Sequence, residues 1–187
     1  MNSENFGRLI VVSGPSGVGK GTICKALLKR NPSLALSVST TTRMPRTGDV
    51  DGVTYYFRTV EQFEAQIEAG DFLEWAVYNR NYYGTGRLPV MERLAAGRDV
   101  LLEIDVQGAL KVKEAFPSAM YIFIVPPDDS ALAERLRKRG TDSAEDIERR
   151  IAEAEREMEL REHYDYVVVN DNLKDAVREV EKIINKK

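Results

Sequence analysis

Residues Gly14-Pro15-Ser16-Gly17-Val18-Gly19-Lys20-Gly21-Thr22 follow the apolar run Leu9-Ile10-Val11-Val12, and that succession decides the fold. Glycines let the backbone turn so that successive amide N–H groups point at one anion, and the helix predicted from Lys20 adds the positive end of its dipole. Lys20 neutralises the outer phosphates. The pattern Gly-x4-Gly-Lys between a strand and a helix is a phosphate-binding loop. The residue after Lys20 is Gly21, and the hydroxyl arrives one position later on Thr22. The sequence therefore leaves open whether Thr22 meets a metal ion or a phosphate oxygen, or whether water takes the metal position.

Outward from the loop, three more apolar runs read as buried parallel strands: Val100 to Ile104, Tyr121 to Val125 and Tyr166 to Val169. Helical stretches follow the four strands in turn, over Lys20 to Arg30, Val106 to Ala115, Leu132 to Arg139 and Leu173 to Ile184. Strand–helix alternation of this kind builds an α/β core, a P-loop NTPase-type parallel sheet with helices on both faces. Ligands of such sheets sit beyond the carboxyl ends of the strands, where the Gly14 loop and Asp105 both emerge.

Two segments interrupt the alternation. Ser37 to about Pro89 carries strand-like pieces at Val53 to Phe57 and Phe72 to Tyr78 around a helix near Val60 to Ala69, and reads as an inserted subdomain. Pro126 to about Glu162 carries two helices dense in Arg and Glu around Arg139-Gly140-Thr141, and reads as a helical lid. Most charges over Glu145 to Glu162 fit a solvated helix face with i, i+4 pairs. The expected organisation is one domain over 1–187. Its core covers about 1–36, 90–125 and 163–187, its insertion about 37–89 and its lid about 126–162.

Bulk properties narrow the function classes. A chain of 187 residues that is 43% hydrophobic buries one sizeable core. With 27 basic and 30 acidic residues, a formal net charge of −3, it exerts no global pull on nucleic acid or membrane, so any anion site is local. The single cysteine, Cys24, excludes an internal disulfide and a cysteine metal cluster, and its helical position suits a small core residue. Met1 to Gly7 is polar, and no apolar run approaches the roughly 20 residues of a membrane span. The expectation is a cytoplasmic protein with no structural metal, and the lone His163 lies outside every motif.

A triphosphate loop alone permits a kinase, an ATPase or a GTPase. The insertion discriminates. Ser39-Thr40-Thr41-Thr42-Arg43-Met44-Pro45-Arg46 sets two arginines and several hydroxyls together, with Tyr55, Tyr83 and Thr85 in the same segment. Arginine forks match phosphate oxygens in pairs and phenols complete the shell, which describes a second site, for a monophosphate.

From Leu9 nearly to its end the chain resembles guanylate kinase, the nucleoside monophosphate kinase family that phosphorylates GMP with ATP. The resemblance rests on Gly14-Pro-Ser-Gly-Val-Gly-Lys20, Ser37-Val-Ser-Thr-Thr-Thr-Arg43 with Arg46 and Gly48, Tyr55-Tyr-Phe57, Phe72-Leu-Glu-Trp75, Asn81-Tyr-Tyr-Gly84, Asp105-Val-Gln-Gly108, Arg139-Gly-Thr141 and Val169-Asn-Asp171. It implies a loop of residues 14 to 22 around the ATP phosphates and an adenine contact near Asn170-Asp171. It also implies a guanine site read by Glu74 and Ser39, and a GMP phosphate held by Arg43, Arg46, Tyr55 and Tyr83. Thr85 and Asp105 would touch the nucleotide or its magnesium shell, and Arg135, Arg139 and Arg150 would reach the transferring phosphoryl group with Lys20. Magnesium is the implied cofactor, held by phosphates and water with Thr22 and Asp105 as candidates, and ATP and GMP are the implied partners.

The guanine assignment makes chemical sense. Guanine offers two donors, N1–H and the N2 amine, to one carboxylate, whereas adenine presents an acceptor there that would repel it. Asp105 also sits where an acid caps the following helix, and Asn170-Asp171 where a turn precedes one. Three other readings are weighed by their missing pieces. Asp105-x-x-Gly108 after a strand resembles a GTPase switch, but no Asn-Lys-x-Asp motif follows. A non-catalytic guanylate-kinase-like binding module usually has a degraded loop, and Lys20 is intact. A monophosphate kinase for another base is opposed by Ser39 and Glu74.

Overall fold

The computed structural model describes residues 6–138 and 144–186. The chain runs β1 (Leu9–Ser13), α1 (Lys20–Arg30), β2 (Ala35–Leu36), β3 (Thr40–Thr41), β4 (Tyr56–Phe57), α2 (Val60–Glu68), β5 (Phe72–Tyr78), β6 (Asn81–Gly86) and α3 (Arg87–Ala95). It continues through β7 (Val100–Glu103), α4 (Val106–Ala115), β8 (Met120–Val125), α5 (Asp129–Lys138), α6 (Ala144–Glu159), a single 3-10 turn (Leu160–His163), β9 (Tyr166–Val169) and α7 (Leu173–Ile184).

β1 is buried at all of its positions because it lies mid-sheet, in the order β2-β7-β1-β8-β9, with every pairing parallel. Its alternate side chains feed two cores. Ile10 and Val12 pack with Ile23 and Leu27 of α1 and Val177 and Val180 of α7. Leu9 and Val11 pack with Val90 and Leu94 of α3 and Ala109 and Val112 of α4. A strand covered on both faces must be apolar throughout, which is why these strands read as runs rather than alternations. Cys24 is fully buried in the first of these cores.

The insertion folds as a second sheet, β4-β3-β6-β5, in which β5 and β6 form an antiparallel hairpin. α2 lies against it, started by a capping box in which Thr59 accepts from the Gln62 amide while Gln62 accepts from the Thr59 amide. Phe63 of α2 stacks on Phe72 at 4.4 Å and on Tyr82 at 5.1 Å. The expected strand from Val53 shortens to Tyr56–Phe57, because the amides of Val53 and Thr54 close a turn onto the Val50 carbonyl. α3 begins at Arg87, two residues before Pro89, where the sequence reading ended the insertion. Proline is tolerated in a first helical turn because its missing N–H has no intrahelical partner there.

α5 and α6 share a small apolar seam of Leu132 and Ala154, with Ile147 and Ile151 against it. Arg139-Gly140-Thr141 lies outside the described residues. No helix among the described residues is long and apolar enough to cross a membrane.

Candidate active site

Gly19 closes the phosphate loop at φ 101° as the N-cap of α1, and a Cβ there would run into the Asn170 amide. That contact shows what holds the loop. Asn170, at the end of β9, donates its side-chain amide to the Val18 carbonyl at 2.7 Å. Arg135 of α5 braces the same corner, donating to the Asn170 carbonyl at 2.8 Å and to the Val18 carbonyl at 3.3 Å. Val18 itself is a core residue with no exposed surface, so its backbone, not its side chain, belongs to the loop. Asn170, expected near the adenine, is buried here, and its amide is engaged beneath the loop as a strut.

Lys20 folds back over the loop, its Nζ donating to the carbonyls of Gly14 at 2.5 Å and Pro15 at 3.0 Å. Burial lowers its pKa, opposed by the carboxylates of Glu103, Glu157 and Asp105. Gly21 has a local explanation in Glu103: a Cβ at 21 would sit 3.0 Å from Glu103 Oε1 and crowd that carboxylate. Thr22 is exposed, and lines a hollow on the outer side of the loop with Gly17, Lys25 and Lys29. Asp105 instead lines the inner cleft, where its Oδ1 caps α4 by accepting from the Gly108 amide at 2.7 Å.

The inner cleft is a cavity of about 310 Å³ between the two sheets and α6. It brings together Gly14, Ser16 and Lys20 with Ser39, Arg43, Arg46, Tyr55, Glu74, Tyr83, Asp105 and Arg150. Arg43 is held by Asp49 at 2.9 Å and lies 5.4 Å from the Tyr55 ring, whereas the Arg46 residue is exposed at the rim. The Arg46 backbone N–H and the Arg43 fork keep the Asp49 carboxyl below the usual range. On the opposite wall Arg150 of α6 donates to the Ser16 hydroxyl at 2.7 Å, which places a lid arginine on the phosphate loop. Arg139 lies outside the described residues.

Glu74 lines this cavity as a buried acid. It is only 6% exposed, and burial pushes its carboxyl up to about 7. Thr85 stands opposite it in the β5–β6 register and donates to Oε1 at 2.6 Å, which partly offsets that rise. Thr85 has no exposed surface, and its hydroxyl aims the carboxylate. From the far side Gly108 of α4 approaches so closely that a Cβ would lie 2.6 Å from Glu74 Oε2.

Sequence reading missed Glu157. This acid of α6 is 9% exposed, lines the cleft beside Lys20, and is pushed by burial to about 7, with Lys20 as the main opposing charge. It was hidden in a charge-rich run assigned to solvent. The available signal was spacing: Arg150, Ala154 and Glu157 fall three to four residues apart and so share the inward face of the helix. Tyr78, Asn79 and Asn81 also line the cleft and were not singled out.

The sequence model of guanylate kinase matches residues 6–187. A guanylate kinase of Gloeobacter violaceus is 56% identical over 95% of this chain and 86% of its own, and one of Desulfitobacterium hafniense is 51% identical over 97% and 90%. Among solved structures, a guanylate kinase from Anaplasma phagocytophilum aligns with a TM-score of 0.79 at 32% identity, covering 97% of this chain and 86% of its own. A shikimate kinase from Bacteroides thetaiotaomicron, at 15% identity and a TM-score of 0.54, shares the fold.

Proposed function

The chain belongs to the guanylate kinase family, and from that premise we propose that its cleft carries the magnesium-dependent transfer of the ATP γ-phosphoryl group to GMP, giving ADP and GDP. The observation that carries the reading is one cavity lined both by Lys20 with the glycine loop and by the buried Glu74 carboxyl. The loop suits a triphosphate tail. The carboxyl suits a base with two adjacent donors.

On this reading GMP lies with its N1–H and N2 amine on Glu74, Ser39 donates to O6, and Arg43, Arg46, Tyr55 and Tyr83 hold its phosphate. The acceptor phosphate oxygen attacks the γ-phosphorus in line and the bond to the ADP oxygen breaks, with no enzyme-bound intermediate. Negative charge spreads over the moving group, and Lys20, Arg150, Arg135 and Arg139 are the side chains assigned to meet it. Lys20 must leave the Gly14 and Pro15 carbonyls to do so, exchanging two backbone acceptors for phosphate oxygens. Closing the helical lid also excludes water and so limits ATP hydrolysis.

The donor set fits magnesium. Asp105 and Glu103, which line the cleft with Lys20, and Thr22 in the neighbouring hollow offer the hard oxygens that suit this ion. Asp105 and Thr22 would face the ion's shell, and magnesium held there would supply charge neutralisation for the phosphates. We place the protein in the cytoplasm, in purine nucleotide metabolism.

A coupled assay offering GMP, AMP, UMP and CMP with ATP tests the assignment, with GMP preferred by orders of magnitude. Equal rates on AMP would defeat the guanine reading. Lys20→Ala should abolish turnover while the protein keeps its circular-dichroism spectrum; near-normal turnover would remove the loop from the mechanism.

A further inference from the structure

The β5–β6 hairpin presents a ladder of cross-strand pairs to the cleft. Glu74 faces Thr85, Ala76 faces Tyr83 and Tyr78 faces Asn81. Because strand side chains alternate, Glu74, Ala76 and Tyr78 lie on one face, with Glu74 and Tyr78 about 13 Å apart along the strand. The order along that face is the order of a nucleotide. Glu74 is assigned to the base and Tyr83 to the phosphate, and Tyr78 comes one pair further on.

Tyr78 is the unexplained member. Its hydroxyl is buried and has no hydrogen-bond partner among the described residues, an arrangement that costs free energy unless something supplies an acceptor. It lines the cleft with Arg43, Tyr83 and Arg150, and its ring meets that of Tyr83 edge-on at 6.5 Å. Arg43 and Arg150 are donor-only and the Tyr83 phenol can donate, so an anion beside them would also accept from the Tyr78 O–H. The turn beyond it is fixed: Asn79 and Arg80 both take positive φ, 45° and 64°, and Asn79 Oδ1 accepts from Arg149 of α6 at 3.1 Å.

We propose that Tyr78 is a further phosphate-binding residue, its hydroxyl donating to a non-bridging oxygen of the acceptor monophosphate from the side that faces Arg150. The proposal deepens the reading of the same cleft and rests on it. Tyr78→Phe removes one oxygen and keeps the ring against Tyr83. It should raise KM for GMP roughly tenfold, the loss expected for one hydrogen bond to a charged group, and raise KM for ATP far less. Calorimetric titration should show GMP weakened and guanosine, which lacks the phosphate, bound as by wild type. The thermal midpoint should not fall, since the hydroxyl bonds to none of the described residues.

An unchanged KM for GMP overturns the proposal. So does equal weakening of guanosine and GMP, which would place the contact on the sugar, or a lowered midpoint, which would make the hydroxyl structural. Wild-type protein in the same experiment keeps the two readings apart: if it fails to phosphorylate GMP the functional assignment falls, and if it succeeds while Tyr78→Phe matches it, only the phenol's role falls.

Discussion

The Thr85 hydroxyl donates to Glu74 Oε1 at 2.6 Å, across a β5–β6 pair whose acid lines the cleft. A buried carboxylate with one hydrogen bond keeps the rest of its lone pairs for a ligand. The pair thus sets both the direction of the acid and how readily it ionises.

Guanine binding needs the ionised acid, because a protonated carboxyl would turn a donor toward a donor edge. With the Glu74 carboxyl at about 7, guanosine affinity should fall roughly tenfold between pH 8 and pH 6. Guanosine is the right probe because it carries no titrating phosphate. A flat profile over that range would place the Glu74 pKa elsewhere.

The same group makes a stability prediction of opposite sense to its role in binding. A folded-state pKa raised above the ordinary 4.5 favours the protonated folded protein, so the contribution is present below 4.5 and lost as pH rises through about 7. Glu74→Gln should therefore melt above wild type at pH 8, with the gap closing toward pH 5, while kcat/KM for GMP drops at least about 100-fold. Melting curves that coincide at both pH values would contradict the burial argument.

Thr85→Val keeps the shape and removes the donor. KM for GMP should rise roughly five- to tenfold, the worth of about 1 kcal/mol, and the pH limb for guanosine should move upward because the lost bond had been holding the acid down. An upward limb without a KM change would mean that ionisation, and not aim, is all that Thr85 controls.

Asn170→Ala should weaken ATP and pyrophosphate by the same factor, roughly tenfold, because what is lost is the strut under Val18 and Gly19. Titration calorimetry with both ligands decides it. Loss of ATP affinity alone would return Asn170 to the adenine.

Arg150→Ala should lower kcat by about 100-fold and change KM for GMP far less, as for a group whose charge is needed mainly in the transition state. Steady-state kinetics give the split. A raised KM with kcat intact would leave Arg150 a ground-state contact made through its reach to Ser16.

The strands at Leu9, Val100, Tyr121 and Tyr166 were legible because burial on both faces writes an apolar run into the chain, and the structure places them within a residue or so of the reading. β2 and β3 were not, since two-residue strands exist only through partners distant in sequence, such as Val100 and Gly84. The arginines and tyrosines of the acceptor half were legible as types. That Thr85 lies behind Glu74, or Asn170 beneath Val18, depends on pairing and burial that no local pattern carries. Glu157 was missed because a buried acid on a charged helix looks like its solvated neighbours until its three-residue step from Ala154, itself four residues from Arg150, is counted.

Gly108 touches no nucleotide in any assignment made above, yet it backs directly on Glu74 Oε2. The choice between purines is therefore vulnerable from behind, through a helix of the main sheet whose own strand partners lie elsewhere. One methyl group added there would tilt the acid away from its Thr85 bond, and a survey of inactive variants would record the fault in what looks like an ordinary helical turn.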